Sequence, residues 1–156
     1  MGTALLSRTD TTAPESAVRV LVRAEMEAVE PARGIVRRAL GREGWAEDEI
    51  ACVVLAFSEA LTNAINHGST PGAAVAVEIV ARGARVRIRV RDRGRRGHAC
   101  PPGAPAAAPP PSSEHGRGLM IMAALSDRLE IVRTRRGTEV RLAFRRPGTL
   151  RPPAAA

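Results

Sequence analysis

The spacing of apolar residues changes several times along the chain, and each change marks an element. Ile50, Val53, Val54, Phe57, Leu61, Ala64 and Ile65 recur at helical spacing, which predicts an amphipathic helix from Glu47 to about His67. Glu47, Asp48 and Glu49 put acid in its first turn, where the helix dipole favours it, and Gly68 supplies a stop. An earlier helix is predicted from Pro31 to Arg42, with proline in the first turn and Gly44 near the end. Period-two patterns predict strands at Ala17 to Arg23, Ala73 to Val80 and Arg85 to Arg91, the last two joined through Arg82-Gly83-Ala84. In Arg85 to Arg91, Val86, Ile88 and Val90 point one way and four arginines the other, so one face is buried and one is wet. A short helix is expected from about Gly118 to Leu125. A closing hairpin follows, with strands Arg128 to Thr134 and Glu139 to Phe144.

Residues 1–16 are small, polar and proline-punctuated and read as a disordered tail, as does the segment 147–156. Residues 93–113 are rich in Gly, Pro, Ala and Ser without periodicity, which suits either a lid or a low-complexity spacer. The domain between the tails, 17–146, has the order β-α-α-β-β-loop-α-β-β. That order predicts an α+β two-layer sandwich, a mixed β-sheet covered on one face by helices.

Composition narrows the function. The chain has 156 residues and a formal net charge of +8, and all 24 of its basic residues are arginine. With no lysine, Schiff-base and P-loop lysine chemistry are excluded. Two Phe, one Trp and no Tyr argue against recognition of single-stranded nucleic acid by base stacking. The arginines are dispersed along strands, and no predicted helix is basic enough to read DNA, so no direct nucleic-acid contact is expected. Cys52 is expected to be buried in its helix and Cys100 to lie in a loop, with no metal-ligand spacing and no disulfide framework. No segment reads as a signal peptide or membrane span, which points to a cytoplasmic protein.

The candidate chemistry lies on the polar side of the Glu47–His67 helix. Glu59, Asn63, Asn66 and His67 stand at i, i+4, i+7 and i+8. A carboxamide can ligate a hard cation, and a carboxylate one turn away can orient or deprotonate a nucleophile. An ordinary solvated face is the alternative, but no arginine falls between Arg42 and Arg82, which suits a face looking into a site. Three further fragments fit one ligand. Asp92 ends a strand, with Gly94 behind it, where a carboxylate can accept a hydrogen bond from an exocyclic amine. His115-Gly116-Arg117-Gly118-Leu119 opens a helix, and glycines there expose N–H groups to an anion. Gly137-Thr138 starts the last strand, where a hydroxyl could reach a base edge.

The order of these fragments resembles the GHKL ATPases, which share the Bergerat ATP-binding fold. It is most similar to their bacterial anti-sigma-factor branch, whose members are also serine-protein kinases. Phe57 to Gly68 looks like the N-box of that branch. The resemblance implies that Glu59 is the catalytic base and Asn63 the Mg2+ ligand, with Asn66 and His67 beside the nucleotide. It implies ATP contacts from Asp92, Gly94, Gly116, Gly118, Leu119 and Thr138, and an ATP lid at 95–115. Arg117 is a candidate phosphate contact, or else a solvated arginine at a helix end. One departure stands out: Arg95 and Arg96 separate Gly94 from Gly97, where the family often has a further glycine directly. The implied partners are a sigma factor and a STAS-type anti-sigma-factor antagonist, with a homodimer as the family's usual assembly. Two functions follow. One is a kinase that phosphorylates the antagonist; the other is a binding module that sequesters its partner without kinase activity. Glu59, which a pure binder would not need, favours the kinase.

Overall fold

The computed structural model describes residues 6–9, 17–94 and 114–146. Six strands form one sheet in the order β1-β2-β3-β4-β6-β5. They are β1 (Leu6–Thr9), β2 (Ala17–Arg23), β3 (Ala74–Arg82), β4 (Arg85–Arg91), β5 (Arg128–Thr134) and β6 (Gly137–Arg145). Three helices lie on one face: α1 (Val29–Arg42), α2 (Glu47–Asn63) and α3 (Glu114–Leu125). The α+β two-layer sandwich is therefore as expected. The mixed sheet is not, because every pairing is antiparallel. The reason lies in α1 and α2, which form a there-and-back excursion. Arg23, at the end of β2, pairs with Ala74 at the start of β3, so the chain returns to the end of the sheet it left. β5 does run parallel to β4, but β6 lies between them.

Two-residue alternation decides which side chains enter the core. Val20, Val22, Val75, Val77, Ile79, Val86, Ile88, Val90, Val140 and Leu142 face the helices and are buried. Against them lies the apolar stripe of α2: Ile50, Val53, Val54, Phe57 and Leu61, continued by Ala64 and Ile65, all buried as the periodicity predicts. Ala56 and Ala60 are buried too, because α3 packs on that flank of α2. Cys52, expected inside, is exposed; it falls with Ala51 and Leu55 on the strip of α2 that neither neighbour covers. Glu49 accepts the Ala46 N–H at 2.7 Å and so fixes the start of α2. With the turn that follows, the segment Glu47–Gly68 is 22 residues long and holds an 18-residue stretch of mean hydropathy 1.2. By length and composition it could cross a membrane, contrary to the sequence reading. Its apolar side is the centre of this core.

Several boundaries moved: α1 opens at Val29, not Pro31, β3 runs Ala74–Arg82, not Ala73 to Val80, and β6 runs Gly137–Arg145, not Glu139 to Phe144. Leu6–Thr9, read as part of a disordered tail, forms an edge strand on β2 from Leu6↔Leu21 to Thr9↔Val18; the remainder of 1–16 lies outside the described residues. Four residues carry too little pattern to predict a strand, and what orders them is the ladder they join. α3 begins at Glu114, not Gly118, so Gly116 and Gly118 lie inside its first turns.

A clasp ties the β3–β4 turn to the α1–α2 junction. Trp45 Nε1 donates to Gly83 O at 2.8 Å, and Glu43 Oε2 accepts the Gly83 N–H at 2.5 Å. Arg146 lies over the Trp45 ring, 5.5 Å from its centroid, and its guanidinium donates to Glu43 O at 3.1 Å.

Candidate functional site

The site is built at the C-terminal end of α2. Glu59 and Asn63, one turn apart and half-buried, face α3. The contact falls at Gly118. A methyl group built there would lie 2.7 Å from Glu59 Oε2 and 3.5 Å from Asn63 Nδ2. Glycine at 118 thus lets the α3 backbone approach a carboxylate and a carboxamide that any larger residue would displace. The i, i+4 spacing and the Gly-x-Gly fragment, separated by a long loop, meet at one place.

After Asn63 the helix widens into a π-turn, Ala64–Gly68. Such single turns recur at functional sites. This one breaks the straight stripe read from the sequence. Asn66 and His67 no longer continue the Glu59–Asn63 line and are exposed, while Ala64 and Ile65 stay in the core. The turn also carries Gly68 onto Asp92. A methyl group on Gly68 would overlap the Asp92 carboxylate. Gly68 is not in the left-handed conformation expected of a helix-ending glycine; it is needed for space.

Asp92, just past β4, is 4% exposed. Its Oδ1 accepts the Gly94 N–H at 2.8 Å and the Thr138 N–H at 3.0 Å, and its own N–H donates to Thr138 O at 3.0 Å. Burial pushes its carboxyl above the ordinary aspartate range, and the two backbone hydrogen bonds pull it part of the way back. Gly94 has φ +72° and Gly137 φ +133°, both closed to ordinary side chains. A methyl on Gly137 would strike the Asp92 carbonyl and lie 2.7 Å from both Asp92 Oδ1 and Gly94 N. Sequence reasoning had Asp92, Gly94 and Thr138 but did not weigh Gly68 and Gly137 as walls of the site. The signal available for both was a glycine beside a site fragment. Thr138 meets Asp92 through its backbone.

The remaining candidates are spread around this centre. Arg117 is exposed on α3, and Leu119 is half-buried and packs against the core. Gly116 lies in the first turn of α3, one residue after His115. Of the expected lid 95–115, residues 95–113 lie outside the described residues. Among the described residues no group of three or more His, Cys, Asp or Glu side chains could hold a metal. A cation held at Asn63 would therefore draw most of its ligands from phosphate oxygens and water, the preference of Mg2+.

Comparison with known proteins adds an independent line. The sequence profile of the histidine kinase-like ATPase domain matches residues 22–144. The crystal structure of the RsbU and RsbW domains of Rv1364c from Mycobacterium tuberculosis superposes on this chain with a TM-score of 0.64 and 26% sequence identity. The match covers 85% of this chain and spans 33% of that one. No curated protein matches the sequence significantly.

Proposed function

The chain belongs to the family of histidine kinase-like ATPase domains, and we propose that it is an ATP-binding anti-sigma factor with protein-serine kinase activity. The observation that carries this reading is the meeting of Glu59, Asn63 and Gly118, joined through the π-turn to the buried Asp92. A base, a cation ligand and a glycine within α3 then share one end of the site, with a carboxylate for the adenine amine at the other. The RsbW domain named in the similar structure supports the anti-sigma branch.

In this reading Asp92 accepts the exocyclic amine of adenine, and Gly68, Gly94 and Gly137 leave room for the base. The first turn of α3, with Gly116, presents N–H groups to the phosphates, Gly118 lets that helix lie close to Glu59 and Asn63, and Arg117 adds charge there. Asn63 would help hold Mg2+, which supplies charge neutralisation on the phosphates. Glu59 orients the serine hydroxyl of a STAS-type antagonist and takes its proton. The serine oxygen bonds to the γ-phosphorus, the bond to the bridging oxygen breaks, and ADP leaves. Positioning and charge stabilisation carry most of such a reaction, so few groups suffice. The sigma factor is the second partner, held inactive in the cytoplasm by a homodimer of this chain.

The test is transfer of label from ATP to serine of a cognate antagonist. Glu59→Gln should keep Mg-ATP binding and lower the transfer about 10²–10⁴-fold, the usual worth of a positioned base. Transfer at the wild-type rate would remove Glu59 from the mechanism. A wild-type chain that binds ATP and its partner but phosphorylates no antagonist would be a sequestering module.

A further inference from the structure

The face of the sheet turned away from the helices carries an ordered pattern of charge. One cross-strand row runs Arg19↔Glu78↔Arg89↔Arg141↔Glu130 over five strands. In it Glu78 bridges Arg19 at 2.7 Å and Arg89 at 3.3 Å, and Glu130 bridges Arg128 and Arg141. Arg128, with Arg141 behind it, holds the Glu130 carboxyl below its ordinary range. Wherever this chain places Glu78 or Glu130 on the face, two arginines grip it.

A second row, towards the β3–β4 turn, breaks that rule. There Arg82 pairs with Arg85, and Arg85 pairs with Arg145 across β3, β4 and β6. Like charges directly opposite one another destabilise a sheet. Among the described residues no carboxylate pairs with the side chains of Arg82, Arg85 or Arg145. These residues line a recess with Arg87 and Arg128, and Val80, Val86, Ala143 and Phe144 supply its apolar lining. Its one acidic lining residue is Asp127, which already accepts the Arg145 backbone N–H at 2.5 Å. The recess lies at the end of β4 opposite Asp92, away from the nucleotide site.

We propose that this recess docks an acidic segment of a partner protein, whose carboxylates insert between the arginines of the Arg82–Arg85–Arg145 row. The Glu78 and Glu130 bridges are the template for that grip. Guanidinium forks match carboxylates in pairs, and residues facing each other on neighbouring strands stand about 4.8 Å apart, so one inserted carboxylate can be shared by two arginines of the row. Nucleic acid is the poorer fit, because Trp45, Phe57 and Phe144, the aromatics among the described residues, are all buried and offer no stacking surface. A membrane is also poorer, since among the described residues Leu21 is the large exposed apolar side chain of this sheet face, and it lies outside the recess.

The experiment uses the full chain and a fluorescein-labelled Glu-Ser repeat peptide, with a Gln-Ser repeat peptide, a single-stranded oligonucleotide and phosphatidylserine vesicles as the other probes. Arg85→Gln/Arg145→Gln is compared with Arg38→Gln/Arg42→Gln, which removes the same charge from the exposed side of α1. Circular dichroism checks that both fold. The expected result is salt-sensitive binding of the Glu-Ser peptide that falls about tenfold or more in the sheet variant and little in the helix variant. No binding of the acidic peptide, an equal loss in the two variants, or a larger dependence of oligonucleotide or vesicle binding on Arg85 and Arg145 would each overturn the proposal.

Discussion

Asp92 is the residue on which the most geometry converges, and its chemistry can be tested without a partner protein. Its folded-state pKa is raised by burial. In the unfolded chain it ionises first, so between the ordinary aspartate value and the raised one the folded state holds more protons. The stability linked to Asp92 is therefore complete below the ordinary value and declines as pH rises through the raised one. Asp92→Asn should lack that decline while keeping an acceptor for the Gly94 and Thr138 N–H groups. Denaturation over a pH series should show the wild type losing ground to the variant across that window; parallel curves would refute the assignment. The same variant should bind adenine nucleotide roughly tenfold more weakly or worse, the cost of about 1.5–3 kcal/mol for a lost charged hydrogen bond. Gly68→Ala should be destabilised by about 1–3 kcal/mol, since its methyl must displace a buried carboxylate. A melting temperature at the wild-type value would argue against that contact. Neither effect was legible in the sequence at position 68. Glycine there has an obvious local meaning as a helix stop, and its real constraint comes from Asp92, just past the end of β4.

At the scale of elements, α3 is where local preference and function pull apart. Alanine is a better helix former than glycine by about 1 kcal/mol. The atom a methyl at 118 would meet most closely is Glu59 Oε2, the free end of a flexible side chain. Gly118→Ala should thus leave stability near the wild type while moving Glu59, and phosphotransfer should fall well below wild type with the melting temperature almost unchanged. A fall in both together would mean that α3 itself had shifted. The glycines also explain why the start of α3 was read four residues late, at Gly118 instead of Glu114: low propensity at Gly116 and Gly118 hid a turn that packing against α2 supports. α2 was easier, because seven apolar residues at one period leave little choice. The π-turn beyond it was invisible, since a helix that widens by one residue keeps the same composition.

For the whole molecule, the alternation of β4 and the hairpin signals made both the wet sheet face and the strand boundaries of β5 readable from sequence. The direction of β3 relative to β2 was not, because it depends on where two helices deliver the chain. The clasp around Trp45 was likewise unreadable, being assembled from Glu43, Gly83 and Arg146 on three separate stretches. Trp45→Phe should cost about 0.5–1.5 kcal/mol for the indole hydrogen bond, seen as a lower denaturation midpoint, and should leave nucleotide affinity unchanged. The clasp has a second consequence. The chain has one Trp and no Tyr, so light at 295 nm excites a single side chain, lodged at the end of the sheet opposite Asp92. Its emission is a native optical label: silent while the nucleotide pocket fills, and altered when the far turn of the sheet pulls loose.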